Sequence, residues 1–127
     1  MDGYIAKISN VSKDLTAKER VAFKDTTACM AIDKCVTADA SLCVYPEYWG
    51  TLAIHNENAK GKDKDYWCHI IVDKDGTRYR TGSESLWSAF LAIVEEMAGE
   101  DEAYGIEIYQ RQSKNYEDKY FLTCSII

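Results

Sequence analysis

Six side chains in the second half of the chain have the types and spacing to bind a nucleic-acid strand: Trp67, His69, Arg78, Arg80, Tyr109 and Arg111. In "YWCHIIV", Cys68, Ile70 and Val72 alternate with Trp67 and His69, so a strand that buries the first three turns the other two outward. Arg78 and Arg80 share one face of "TRYRT". Tyr109 and Arg111 share the face opposite Ile106 and Ile108. Aromatic rings stack exposed bases for about 1 to 3 kcal/mol each while cationic side chains follow the phosphates, so the six together predict one aromatic and basic surface. The competing reading is a sheet face whose rings are covered by the first fifty residues.

Two polar segments flank these runs. "NENAKGKDKDYW" carries Lys60, Lys62 and Lys64, and "QSKNYEDK" carries Lys114, Tyr116 and Lys119. Acidic neighbours, Glu57, Asp63, Asp65, Glu117 and Asp118, are interleaved with them, so solvated loops compete with binding loops as the explanation.

Catalytic and metal chemistry find little support. There is no G-x-S-x-G elbow or phosphate-binding G-x-x-x-x-G-K-[ST] loop, and His55 and His69 have no nucleophile at a recognisable spacing. "DKDG" echoes the start of a calcium loop, but "TRYRT" follows where the second half would fall, and a hairpin turn explains the segment better. The five cysteines include no C-x-x-C pair, and Cys68 and Cys124 lie in apolar runs, where a thiol behaves as a small hydrophobe. The expectation is a non-enzyme with no cofactor, no metal and free structural thiols.

These residues must be positioned by the elements around them. "GYIAKIS" reads as a first strand. "TAKERVAF" opens with Thr16 and Glu19 in a capping-box arrangement and reads as a short helix. "ACMAID" and "SLCVY" read as strands, with Pro46 and Gly50 as breaks on either side of Tyr48 and Trp49. From Thr51 onward "TLAIH", "YWCHIIV" and "TRYRT" are strands, the last two joined through Asp75-Gly76. "SESLWSAFLAIVEEM" is an amphipathic helix with Leu86, Phe90, Ile93, Val94 and Met97 on its apolar stripe, Ser83 as N-cap and Gly99 beyond its end. Trp87 sits beside that stripe, where it could anchor a neighbouring subunit. "YGIEIYQRQ" and "YFLTCSII" are the last two strands.

Strand, strand, strand, helix, strand, strand is the order of an OB fold, whose second and third strands and neighbouring loops bind oligonucleotides. The expected class is therefore α+β: a single domain with an OB-like five-stranded barrel at 51–127 and an N-terminal strand and helix at 1–50. A non-barrel α+β sheet is the alternative.

At 127 residues the chain can bury a core without a metal or disulfide. No apolar run approaches the ~20 residues of a membrane span, and "MDGYIAKIS" lacks the pattern of a signal peptide, so a soluble, cytosolic protein with no membrane partner is expected. The net charge of −6 argues against coating nucleic acid by bulk charge. However, much of the acid lies in "EEMAGEDE", Glu95 to Glu102, and the remainder is close to neutral.

"LAIHNENAKGKDKDYW", "DKDGTRYRTGSESLWSAF" and "SKNYEDKYFLTCSI" resemble segments of small single-stranded DNA-binding proteins encoded by bacteriophages of Gram-positive hosts. The resemblance extends over roughly residues 4 to 127. It implies a non-enzymatic replication or recombination protein, a homo-oligomer in the host bacterial cytosol with single-stranded DNA as its partner. Many such proteins end in an acidic tail, whereas this chain ends in apolar "LTCSII", which favours a packed final strand. A phage inhibitor of host defence is the alternative, either as an acidic nucleic-acid mimic facing a host defence protein or as a protein that sequesters a nucleotide signal. "EEMAGEDE" would serve the mimic, and Trp67, Arg78 and Arg80 a nucleotide pocket.

Overall fold

The structure, a computed structural model, describes residues 3–58, 64–112 and 120–127. It is a mixed α+β protein built mostly of strands. In chain order the elements are β1 (Tyr4–Val11), α1 (Ala17–Lys24), a 3-10 turn (Thr26–Ala28), β2 (Met30–Ala31), α2 (Ile32–Cys35), β3 (Leu42–Val44), β4 (Pro46–Asn56), β5 (Asp65–Asp73), β6 (Arg78–Thr81), α3 (Glu84–Met97), β7 (Ile106–Gln112) and β8 (Tyr120–Ile126). They divide between two compact units, Met1–Met30 with Glu47–Gly82, and Ala31–Pro46 with Ser83–Ile127.

In the first unit lies most of a five-stranded sheet of order β1-β4-β5-β6-β2. Phe23 of α1 packs with Leu52, Ile54, Cys68, Ile70 and Val72 in one apolar core. The capping box that starts α1 is formed: Thr16 Oγ1 accepts from the Glu19 amide, and the Glu19 carboxylate accepts from the Thr16 amide. The β5–β6 turn is the expected Asp-Gly hairpin. The Gly76 amide donates to the Asp73 carbonyl, and Gly76 takes a φ of 92° that favours glycine.

Pro46 and Gly50 do not interrupt the chain as expected; β4 runs through both. Proline is tolerated as the first residue of a strand. A Cβ at Gly50 would lie 2.4 Å from the Asn10 carbonyl oxygen and 3.0 Å from the Phe23 ring, so the glycine lets β1 and α1 close on β4. The expected strand in "ACMAID" also ends early, because after Met30–Ala31 the chain turns into α2 and buries Ile32 completely.

In the second unit β3-β7-β8 form a three-stranded antiparallel sheet. Helix α3, capped by Ser83 as expected, buries Leu86, Trp87, Phe90 and Val94. Its Ser85 hydroxyl donates to the Leu122 carbonyl of β8 at 2.9 Å. Trp87 does not stand out as an anchor: it is 6% exposed and stacks on Phe90 with ring centroids 5.0 Å apart.

The order of elements from β4 onward is the one expected, but closure into a single barrel is not seen. Pairing among the described residues leaves two open sheets, with β4, β5 and β6 in one and β7 and β8 in the other. The N-terminal segment is part of the first sheet, since β1 occupies the outer edge of β4 from Tyr4–Asn56 to Val11–Gly50. An edge taken by β1 is not free along that length to close a barrel.

Phe90 is fully buried against Trp87, so Phe90→Ala removes a ring and leaves a cavity. The expected loss is about 3 to 5 kcal/mol of unfolding free energy in a urea titration.

Candidate functional site

The β1–β4 register sets Ile5 opposite His55 and Lys7 opposite Ala53, which places all four on one sheet face. Two side-chain bonds carry that face onto β5. Thr51 Oγ1 meets His69 Nδ1 at 2.8 Å, and His55 Nδ1 meets Asp65 Oδ1 at 2.7 Å. Between those contacts the two strands advance equally in opposite directions, so Ala53 falls beside Trp67. The result is a concavity of about 410 Å³ lined by Ile5, Lys7, Ala53, Ile54, His55, Asp65, Tyr66 and Trp67. Trp67 is 53% exposed, Ile5 52% and Tyr66 42%. Ala53 is the small residue between larger neighbours, and its methyl leaves the floor low.

The rim is a chain of alternating charge. His55 Nε2 meets Glu57 Oε1 at 2.6 Å, and Lys64 Nζ meets Glu57 Oε2 at 3.0 Å. Both ring nitrogens of His55 therefore donate to carboxylates, an arrangement that suits the imidazolium. The hydrogen bond to Asp65, followed by the one to Glu57, raises the His55 pKa above its ordinary value. The His55 and Lys64 hydrogen bonds lower that of Glu57. Lys7 has no ionic partner among the described residues and leaves a cation uncommitted at the concavity.

Among the residues expected to bind, Trp67 is exposed on this face. Lys64 is exposed at the rim and paired with Glu57. His69 does not point to solvent; it is 4% exposed and held by Thr51. Strand β5 is buried on both faces from Cys68 to Asp73, so alternation there separates two covered faces rather than inside from outside.

Arg78 and Arg80 share a face as expected, but not that of Trp67. They pair with Val72 and Ile70, which puts them on the Cys68, Ile70 and Val72 side of the sheet. There Arg78 donates to the Ala22 carbonyl in the last turn of α1, where a cation also favours the helix dipole. Tyr109 and Arg111 share a face of β7, in the other sheet. The six residues thus do not make one strand-borne surface. Lys60, Lys62, Lys114 and Tyr116 lie outside the described residues.

No group of three or more His, Cys, Asp or Glu among the described residues is placed to hold a metal ion. All five cysteines are free. Cys68 and Cys124 are buried, which pushes each thiol up to about 11 and leaves little thiolate for nucleophilic chemistry. No helix among the described residues is long and apolar enough to cross a membrane. Comparison with known proteins finds no matching family model, curated protein or solved structure.

Sequence reasoning passed over Ile5, Lys7, Ala53, His55 and Asp65. Alternation in "GYIAKIS" puts Ile5 and Lys7 on one face, but nothing local pairs them with residues about fifty positions away.

The His55 clamp has a defined pH signature. A histidine whose folded pKa is raised contributes stability below its unfolded value of about 6.5 and loses that contribution as pH rises through the folded value. An NMR titration should place the His55 midpoint above 6.5. Asp65→Asn, which removes the largest cause, should move it down while leaving the fold intact.

Proposed function

We propose that the protein binds single-stranded DNA without catalysis, as a phage-type replication or recombination protein acting as a homo-oligomer in the host bacterial cytosol. The observation that carries this reading is the half-exposed Trp67 ring on a concave sheet face beside Lys7, which has no ionic partner among the described residues. A single strand offers base faces to the ring and phosphates to the lysine, whereas a duplex hides its base faces. The order β4–β5–β6–α3–β7–β8 adds support, because an OB-like fold carries ligand on the second of these strands, and Trp67 lies on β5.

A second reading is favoured by the volume of the concavity. About 410 Å³ falls within the roughly 300 to 1,000 Å³ of small-molecule sites, which suits a phage protein that sequesters a free nucleotide signal. Chain length separates the two. A nucleotide-sequestering protein should saturate with mononucleotide and gain nothing from a longer strand.

With oligo(dT), tryptophan fluorescence should quench, and single strands should compete far better than duplex. Trp67→Ala should weaken binding by about 1 to 3 kcal/mol. Lys7→Ala should flatten the slope of log affinity against log salt by about 0.7 for one lost phosphate contact. Unaltered quenching and affinity in Trp67→Ala, or equal competition by duplex, would overturn the proposal.

A further inference from the structure

The three-stranded sheet has two unlike faces. Ile108, Gln110, Leu122 and Cys124 lie on the face that α3 covers; Ile108, Leu122 and Cys124 are buried, and the Gln110 amide donates to the Val36 carbonyl at 3.4 Å. The opposite face carries Glu107, Tyr109 and Arg111 of β7 against Ser125, Thr123 and Phe121 of β8. On it Arg111, Phe121 and Ser125 are exposed and Glu107, Tyr109 and Thr123 are half-buried.

Arg111 and Phe121 are direct cross-strand partners. Their Cβ atoms are therefore about 4.5 to 5.5 Å apart, close enough for one nucleotide to span both side chains. Phe121 is 38% exposed although it is a large apolar ring, and Arg111 has no ionic partner among the described residues. The carboxylate on this face, Glu107, accepts from the Ser41 hydroxyl at 2.8 Å and sits four residues from Arg111, about 13 Å along the strand. The Tyr109 and Ser125 hydroxyls, 2.7 Å apart, add groups that can donate or accept. An exposed ring beside a guanidinium that has no ionic partner among the described residues is complementary to a base and its phosphate.

We infer that this face is a second single-strand contact, in which Phe121 stacks a base and Arg111 holds the adjoining phosphate. The inference rests on the single-strand reading above but on different residues in a different sheet. It adds a stacking residue, Phe121, to the ring supplied by Trp67.

The test measures anisotropy of labelled oligo(dT), short and long, at two salt concentrations, on the full chain and on Phe121→Ala, Phe121→Trp, Arg111→Gln and Trp67→Ala. Phe121→Ala should weaken binding of the long oligomer by about five-fold or more, and Phe121→Trp should restore it. Arg111→Gln should flatten the salt slope by about 0.7. Parental affinity and slope in both Phe121→Ala and Arg111→Gln, with Trp67→Ala impaired, would overturn this contact and leave the first site standing. The converse would support this contact and remove the first. A parent that binds no oligomer would overturn both. A change in sedimentation rather than in DNA binding would mark the face as a contact between copies of the chain and overturn the inference. If Phe121→Ala melts early, Arg111→Gln decides, because the side chain it changes is exposed and not part of the buried core.

Discussion

The first sheet depends on how closely β1 and α1 approach the backbone of β4 at Gly50. A side chain there would meet Asn10, Val11 and Phe23 at 2.4 to 3.0 Å, so only a glycine lets the three pack together. Strand β1 shifts register between Ile8 and Asn10 beside this point. Beyond the shift, Lys7 and Ile5 fall opposite Ala53 and His55 and form one side of the concavity. A packing constraint near one end of the strand pair thereby fixes which side chains meet near the other.

Charge in the concavity is organised by pairing rather than by total. The chain carries −6, yet Asp65, His55, Glu57 and Lys64 neutralise one another in sequence along the rim, and among the described residues Lys7 remains. A phosphate within a Debye length of about 8 Å responds to that local balance more than to the net charge. Protonation of His55 is part of the balance, so rising pH makes the rim more negative as well as loosening the clamp. The acidic run ending α3, with Glu95, Glu96, Glu100, Asp101 and Glu102 all exposed, is a solvated surface in its own unit.

Polar burial explains the residue whose role changed most. His69 has the type expected of a binding residue, but its Nδ1 is satisfied by Thr51 inside the sheet. Among the described residues no buried side-chain nitrogen or oxygen lacks a hydrogen-bond partner. A buried polar group left unpaired costs about 1 to 3 kcal/mol, so Thr51 and His69 are better understood as a structural pair than as a site. Arg78 follows the same logic: its guanidinium serves the end of α1.

Local patterns determined much of this protein. The capping box at Thr16 and Glu19, the turn at Gly76, the apolar stripe of α3 and the order of elements from β4 onward follow from short-range chemistry, because each needs residues only a few positions apart. The shared face of Tyr109 and Arg111 is equally local, since strand alternation alone sets it. Tertiary structure decided the rest. Which face of β5 meets solvent depended on both being covered beyond Cys68, and which face received Arg78 and Arg80 depended on hairpin register. The site itself joins Ile5 and Lys7 to Ala53, His55, Asp65 and Trp67, partners about fifty residues or more from β1. Alternation assigns a residue to one of two faces, but only strand pairing across the intervening chain decides which faces coincide.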